Sequence, residues 1–284
     1  MKTTTKIMGA LGLTFCGLLG LVAMQGGNAL ERAEITPEPE DFRNDQVPGA
    51  DGCPDGAESA GMGPEMVRLP EGFCIDTTEV TRGQYDAWTA TAPSAAGQPS
   101  ACSENTDFEP VSSPPCDSSE DEPVVCVDWC DARAYCEAAG KRLCGGIADG
   151  GAYDVDSYAD PEASEWHAAC TSGGTYEYTY GDVPDVDTCR EGDAEDYTTW
   201  GLADVGSHDG CRSPESAYSA VYDLSGNAAE WDNSCDGDET DSGCRIRGGA
   251  FEYQGVGLRC AMAEGLRWPR MRRVVAVGFR CCAD

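Results

Sequence analysis

The sequence predicts a loop-rich α+β domain stapled by disulfides, and three observations carry that prediction. Short apolar runs of strand length alternate with a few helix starts that bring their own caps. Long stretches rich in Gly, Asp, Ser, Thr and Pro, at 91–122 and 171–220, lie between them and bury little. Sixteen of the seventeen cysteines follow residue 50, an even number, as expected of a fully oxidised chain. Loops of that length are uncommon in a compact domain unless they are crosslinked or built around a metal.

The chain opens MKTTTKIMGALGLTFCGLLGLVAMQGGNA. Lys2 and Lys6 precede an apolar run from Ile7 to Met24, and the small residues Gly27 and Ala29 follow. That is the layout of a secretory signal peptide over 1–29. The run also reaches the ~18 residues a membrane span requires, so an uncleaved N-terminal anchor is the alternative, and the one route to a membrane. Lipidation at Cys16 is disfavoured because Phe15 is bulky where lipoprotein signals place a small residue. Export to a periplasmic or extracellular space also suits the cysteine count. No C-x-x-C occurs, which argues against zinc ribbons and thioredoxin-type redox pairs. Residues 30–62, rich in Pro, Glu, Asp and Gly, read as a flexible acidic linker whose end is pinned by Cys53.

A folded domain is predicted over 63–284. MVRLPEGFCIDTTEVT, from Met66, reads as two short strands around a Pro-Glu-Gly turn. Thr81 caps a helix through RGQYDAW that puts Tyr85 and Trp88 on one buried side. Cys102 and Cys116 tie the loop that follows. Val124, Val125 and Val127 suggest a short buried strand, after which Asp128 caps a helix to Ala139 with Gly140 as its stop. In DPEASEWHAAC, Asp160 is the expected cap and Pro161 the first helical position. Strands return at CRIRGGAF and VVAVGFRC.

A formal net charge of -32 makes nucleic acid and anionic membrane surfaces unsuitable partners. The charge is uneven. From Arg245 onward eight arginines stand against Glu252, Glu264 and Asp284. These arginines are expected to pair with acidic groups elsewhere in the fold. The alternative is an anion-binding face around Arg267, Arg270, Arg272 and Arg273.

Taken in order, IDTTEVTRGQYDAW (75–88), PVVCVDWCDARAYCEAAGKRL (123–143), SEWHAAC (164–170), YTYGD (178–182), VYDLSGNAAEW (221–231), RIRGGAF (245–251), LRC (258–260) and VGFRC (277–281) resemble the formylglycine-generating enzyme family, the sulfatase-modifying-factor domain. The resemblance spans nearly all of 63–284 and implies a C-type-lectin-like α+β fold. In active members of the family, two cysteines after the RGG motif bind copper(I), a soft ion suited to paired thiolates, and activate oxygen. Here Tyr253 takes the first cysteine position, and the second falls near Gly257 or Leu258. Copper is therefore not expected, unless Cys260 joins Cys281 or Cys282 to rebuild a thiol pair.

Another branch of the family holds non-haem iron with histidines. This chain has only His167 and His208, which read as unrelated surface residues. The resemblance also implies a structural calcium loop, formed by the Asp223 side chain, the Gly226 and Ala228 carbonyls and the Glu230 carboxylate, an all-oxygen set that suits Ca²⁺. The match to a second calcium site near Thr188 and Cys189 is poor. CDGDETDSGC lacks the Gly and Glu of an EF-hand loop and reads as a solvated turn.

The cysteines then fall to structure, with Cys144–Cys170, Cys235–Cys244 and Cys260 with Cys281 or Cys282 as the expected bridges. The functional expectation is an exported binding or structural module, calcium-stabilised and without formylglycine-generating activity. Its partner is an unidentified protein or small molecule. Tyr253, Trp268 and Arg270 are the candidate ligand contacts, on the segment where the active site would have stood. The alternative is a copper- or iron-dependent oxidoreductase acting on thiols. A diversified surface ligand-binder is less favoured, since no Asn-rich variable tract is present.

Overall fold

A computed structural model describes residues 52–54, 62–112, 116–192, 201–262 and 266–284. The signal segment and almost all of the linker lie outside the described residues. Two four-stranded sheets meet through the segment 277–283. The first has the order β1 (Met66–Arg68), β2 (Cys74–Asp76), β8 (Cys281–Ala283), β3 (Arg142–Leu143), with antiparallel neighbours throughout. The second has the order β6 (Arg267–Pro269), β5 (Gly243–Arg247), β4 (Ala229–Cys235), β7 (Val277–Phe279), antiparallel except for the parallel pair β4–β7. Only Arg280 separates β7 from β8.

Among the described residues three α-helices pack on these sheets, and two start where local chemistry places them. Helix α1 (Arg82–Thr89) carries a capping box between Thr81 and Gln84, and α2 (Trp129–Ala138) one between Asp128 and Asp131. Each satisfies two backbone donors that would otherwise be orphaned. Helix α3 (Glu165–Thr171) begins later than the sequence suggests. Asp160 closes a turn by accepting from the backbone N–H of Glu162, and the cap is Ser164, whose hydroxyl accepts from the His167 N–H at 3.1 Å. Glu165 is then buried, with its carboxylate on Arg142 at 2.6 and 2.7 Å.

Val124, Val125 and Val127 are buried as expected, yet they form no strand. Cys126 adopts a left-handed conformation (φ 59°) and bridges to Cys116, which breaks the extended run. Gly278 on β7 lies so close to this segment that a Cβ would sit 2.3 Å from the Val124 carbonyl oxygen, so the Gly of VGFRC is a packing requirement.

The two faces of the first sheet bury separate clusters. On one side Tyr85, Trp88, Phe108, Tyr135 and Phe279 form an aromatic nest with ring centroids 4.9–6.2 Å apart, mostly edge to face. On the other, Val67, Phe73, Ile75, Trp166, Val221 and Leu224 pack together. Cys281 belongs to the first cluster and Cys282 to the second, because successive residues of a strand face opposite ways.

That alternation fixes the bridges, and it corrects two expected pairings. Cys281 bonds to Cys136 on α2, and Cys282 to Cys144 beside β3. Cys144 therefore does not pair with Cys170, and Cys260 pairs with neither Cys281 nor Cys282; Cys170 and Cys260 bond to each other. Cys235 pairs with Cys244 across the β4–β5 hairpin. The remaining bridges are Cys53–Cys74, Cys102–Cys130, Cys116–Cys126 and Cys189–Cys211. Bridges of this kind each contribute about 2–4 kcal/mol.

Candidate ligand cleft and the buried carboxylate cluster

The VYDLSGNAAEW segment delivers Asp223 and Glu230 to the seam between the sheets, where Arg280 meets them. Glu230 Oε1 accepts from Arg280 Nε at 3.0 Å and Nη2 at 2.8 Å. Its Oε2 accepts from Arg280 Nε and from Trp166 Nε1, both at 2.8 Å. Arg280 also donates to the carbonyls of Asp76 and Tyr222, which ties β2 and the 221–223 turn to the same guanidinium. Glu79 Oε2 lies 3.9 Å from Arg280, and all four charged groups are buried.

A calcium ion at the predicted Asp223, Gly226, Ala228 and Glu230 would share its carboxylates with Arg280. Three N–H groups point at the Glu230 carboxylate, with the Arg280 Nε–H shared between its two oxygens. Asp223 Oδ2 takes the Gly206 N–H at 2.6 Å. A divalent ion here would have to compete with a fully buried guanidinium. The remaining negative charge has another outlet. Burial and the neighbouring Asp223 push the Glu79 carboxyl well above its usual range, and burial lifts Asp223 to about 6. Glu79 Oε2 has no hydrogen-bond partner among the described residues.

The histidines do not form a metal centre. His167 is buried, not superficial, with Nδ1 3.3 Å from Arg247 Nη2, and burial followed by that cation lowers its pKa to about 4. His208 lies near Ser207 on a loop, with 3.4 Å between Nδ1 and the hydroxyl. Among the described residues no three His, Cys, Asp or Glu side chains are grouped to hold a metal ion.

A concave feature lies on the second sheet. A cleft of about 310 Å³ is floored by Ala229 of β4, Ile246 of β5, Ala250, and the 274–277 segment leading into β7. Glu252, Tyr253, Trp268, Arg272 and Arg273 form its walls. The RGG turn aims Tyr253 here. Gly249 has φ +71° and packs so closely on the Gly257 carbonyl that a Cβ would sit 2.3 Å away. The Tyr253 backbone is fixed by its N–H on the Ala250 carbonyl at 2.8 Å and its carbonyl on the Gly192 N–H at 3.0 Å.

Two of the three expected ligand contacts, Tyr253 and Trp268, line this cleft, and Arg270 does not. Arg270 is 3% exposed, stacks on Trp129 at 4.9 Å and donates to the Gly237 carbonyl, so it is structural. The cleft's arginines are Arg272 and Arg273. Arg273 is committed to Asp131 at 3.2 Å, Asp107 at 3.0 Å and Asp128 at 3.6 Å. Arg272 lies over the Trp268 ring at 3.9 Å. The sequence placed Arg270 and Arg272 in one group, because nothing local distinguishes an arginine facing Trp129 from one facing Trp268.

No thiol lines the cleft. Gly257 and Leu258, near the second cysteine position of the resemblance, are buried in a short 3-10 turn (Gly255–Leu258), and Cys260 is bonded to Cys170. The donor set a copper(I) thiolate centre requires is therefore missing from this location.

A family profile described as "Sulfatase-modifying factor enzyme 1-like domain" matches residues 19–284. Among solved structures, PvdO from Pseudomonas aeruginosa aligns over 75% of this chain and 80% of its own, at 18% identity and a TM-score of 0.50. The crystal structure of CarF aligns over 75% and 86% at 21% identity, with a TM-score of 0.49. Treponema denticola variable protein 1 aligns over 74% and 84% at 19% identity, with a TM-score of 0.45. No curated protein matches. At such identities the structural likeness concerns the fold, whereas the profile covers most of the sequence: the chain belongs to the sulfatase-modifying factor enzyme 1-like (FGE-sulfatase) domain family.

Proposed function

We propose that this protein is an exported, disulfide-stapled member of the family that binds a ligand in the Tyr253–Trp268 cleft and does not generate formylglycine. One observation carries the reading. Tyr253 stands in the cleft at the first cysteine position of the family pattern, and the described cysteines are all bonded in disulfides. Eight bridges suit an oxidising compartment, and no helix among the described residues is long and apolar enough to cross a membrane. In this reading Arg280 and the disulfides hold the seam, and calcium at Asp223 and Glu230 is not required.

The test is alkylation and intact-mass analysis of protein purified from the exported fraction without reductant, followed by copper(I) titration and an oxygen-consumption assay with a cysteine-containing peptide. No alkylated thiol and no oxygen uptake are expected. Two reactive thiols with copper-dependent uptake would replace this reading with that of a thiol oxidoreductase.

A further inference from the structure

We infer that the cleft takes a small molecule with one carboxylate and an apolar body, the carboxylate on Arg272 and the body on the floor beside Trp268. The inference rests on the binding reading above and adds the ligand's chemistry.

The charge pattern singles out Arg272. Of the eight arginines from 245 onward, six face carboxylates: Arg245 faces Asp156, Arg247 Asp232, Arg259 Glu177, Arg267 Asp236, Arg273 three aspartates, and Arg280 Glu230. Arg270 is absorbed by Trp129 and the Gly237 carbonyl. Arg272 is exposed, and among the described residues no carboxylate lies within ion-pair distance of it. Among the described residues, Arg272 is thus the free cation of the arginine face the sequence suggested.

Its setting suits a planar anion. Arg272 is exposed over the Trp268 ring, and a guanidinium so placed can take a carboxylate through two parallel hydrogen bonds. Next to it the floor is Ala229, Ile246, Ala250, Val274, Ala276 and Val277, with no charged group. At about 310 Å³ the cleft is at the small end of ligand pockets, matching a body the size of one ring or a short alkyl chain. The same charges limit the ligand to a single negative group. Glu252 stands in the wall beside Tyr253, and the chain as a whole carries -32, so a second anionic charge would meet repulsion with no arginine left to answer it. A phosphate monoester or an acidic peptide fits less well than a monocarboxylate.

The experiment is saturation-transfer NMR with titration on oxidised wild-type protein, using phenylacetate, phenylacetamide, phenethylamine and phenyl phosphate as probes. Phenylacetate is expected to bind about tenfold more tightly than phenylacetamide, the worth of one charge-assisted pair. Arg272→Gln should bring the acid and amide within about twofold of each other. Trp268→Ala should weaken both, and Arg267→Gln, outside the cleft, neither. Retained near-UV circular dichroism shows each variant folded. Equal binding of acid and amide, or a preference for the amine or the phosphate, overturns the monocarboxylate assignment and leaves the binding reading standing. Absence of saturation transfer for every probe overturns both.

Discussion

At the seam, the Arg280 guanidinium is fully buried and meets both oxygens of Glu230, with Glu79 and Asp223 beside it. At the cleft, the Arg272 guanidinium is exposed over the Trp268 ring, with no acid within ion-pair distance among the described residues. The difference follows from what each position can reach. Arg280 separates β7 from β8, so it can donate to β2, β4 and the 222 turn at once, and every contact is structural. Arg272 follows an edge strand, β6, and faces solvent. Among the described residues, matched charges hold the seam together, whereas the charge at Arg272 is left without a partner.

Breaking the seam should have the largest effect. Arg280→Met leaves Glu79, Asp223 and Glu230 buried without their cation, a change that costs about 3–5 kcal/mol. Denaturant unfolding under non-reducing conditions should show the loss, and a variant as stable as wild type would show that the seam does not depend on Arg280. Next comes the double change Cys144→Ser with Cys282→Ser, which opens a link across 138 residues. The midpoint of unfolding should report a loss of about 2–5 kcal/mol, with the cleft's ligand binding unchanged in the variant that remains folded.

The response to pH should be smaller and of defined sign. Burial lifts Asp76, Asp223 and Asp232 to about 6, and burial with Asp131 lifts Asp128 to about 7. Folded chains take up those protons at higher pH than unfolded ones, so stability grows as pH falls from about 7 toward the usual carboxylate range. His167 runs the other way: lowered to about 4, it loses stability as pH falls below its ordinary 6.5. The raised carboxylates, Glu79 and Asp131 among them, outnumber the two lowered imidazoles and set the sign, and calorimetry should find a Tm a few degrees higher at pH 5 than at pH 7.5.

Smallest of all should be chelation and a change in the cleft. EDTA should leave the Tm within about 1 °C, since Glu230 already has its donors; a fall of several degrees would return calcium to the Asp223–Glu230 loop. Arg272→Gln should alter stability by no more than about 0.5 kcal/mol, as a surface change does.

What the sequence disclosed was what neighbouring residues decide. The caps at Thr81 and Asp128, the buried faces of α1 and α2 and the Cys235–Cys244 hairpin bridge are set within a few positions of chain. Bridge partners for Cys144, Cys260, Cys281 and Cys282 depend on β3 pairing with β8 and on which face each residue takes, and no local pattern encodes that register. Glu230 was visible as a carboxylate ligand, but its donors, Trp166 and Arg280, lie 64 and 50 residues away. Tyr253 and Trp268 line the cleft and Arg270 does not, since Arg270 and Arg272 meet different tryptophans and no local pattern says which.

The position of β7, Arg280 and β8 in the sequence also sets a timetable. Neither sheet can close until residues 277–283 have been synthesised, and their partners on α2 and beside β3 were made 145 and 138 residues earlier. Throughout that interval Cys136 and Cys144 wait as thiols without their proper partners, close enough in sequence to oxidise onto one another. A bond formed early between them would have to be exchanged before the sheets are complete, so the yield of refolded protein is expected to rise when a thiol–disulfide exchange catalyst is added.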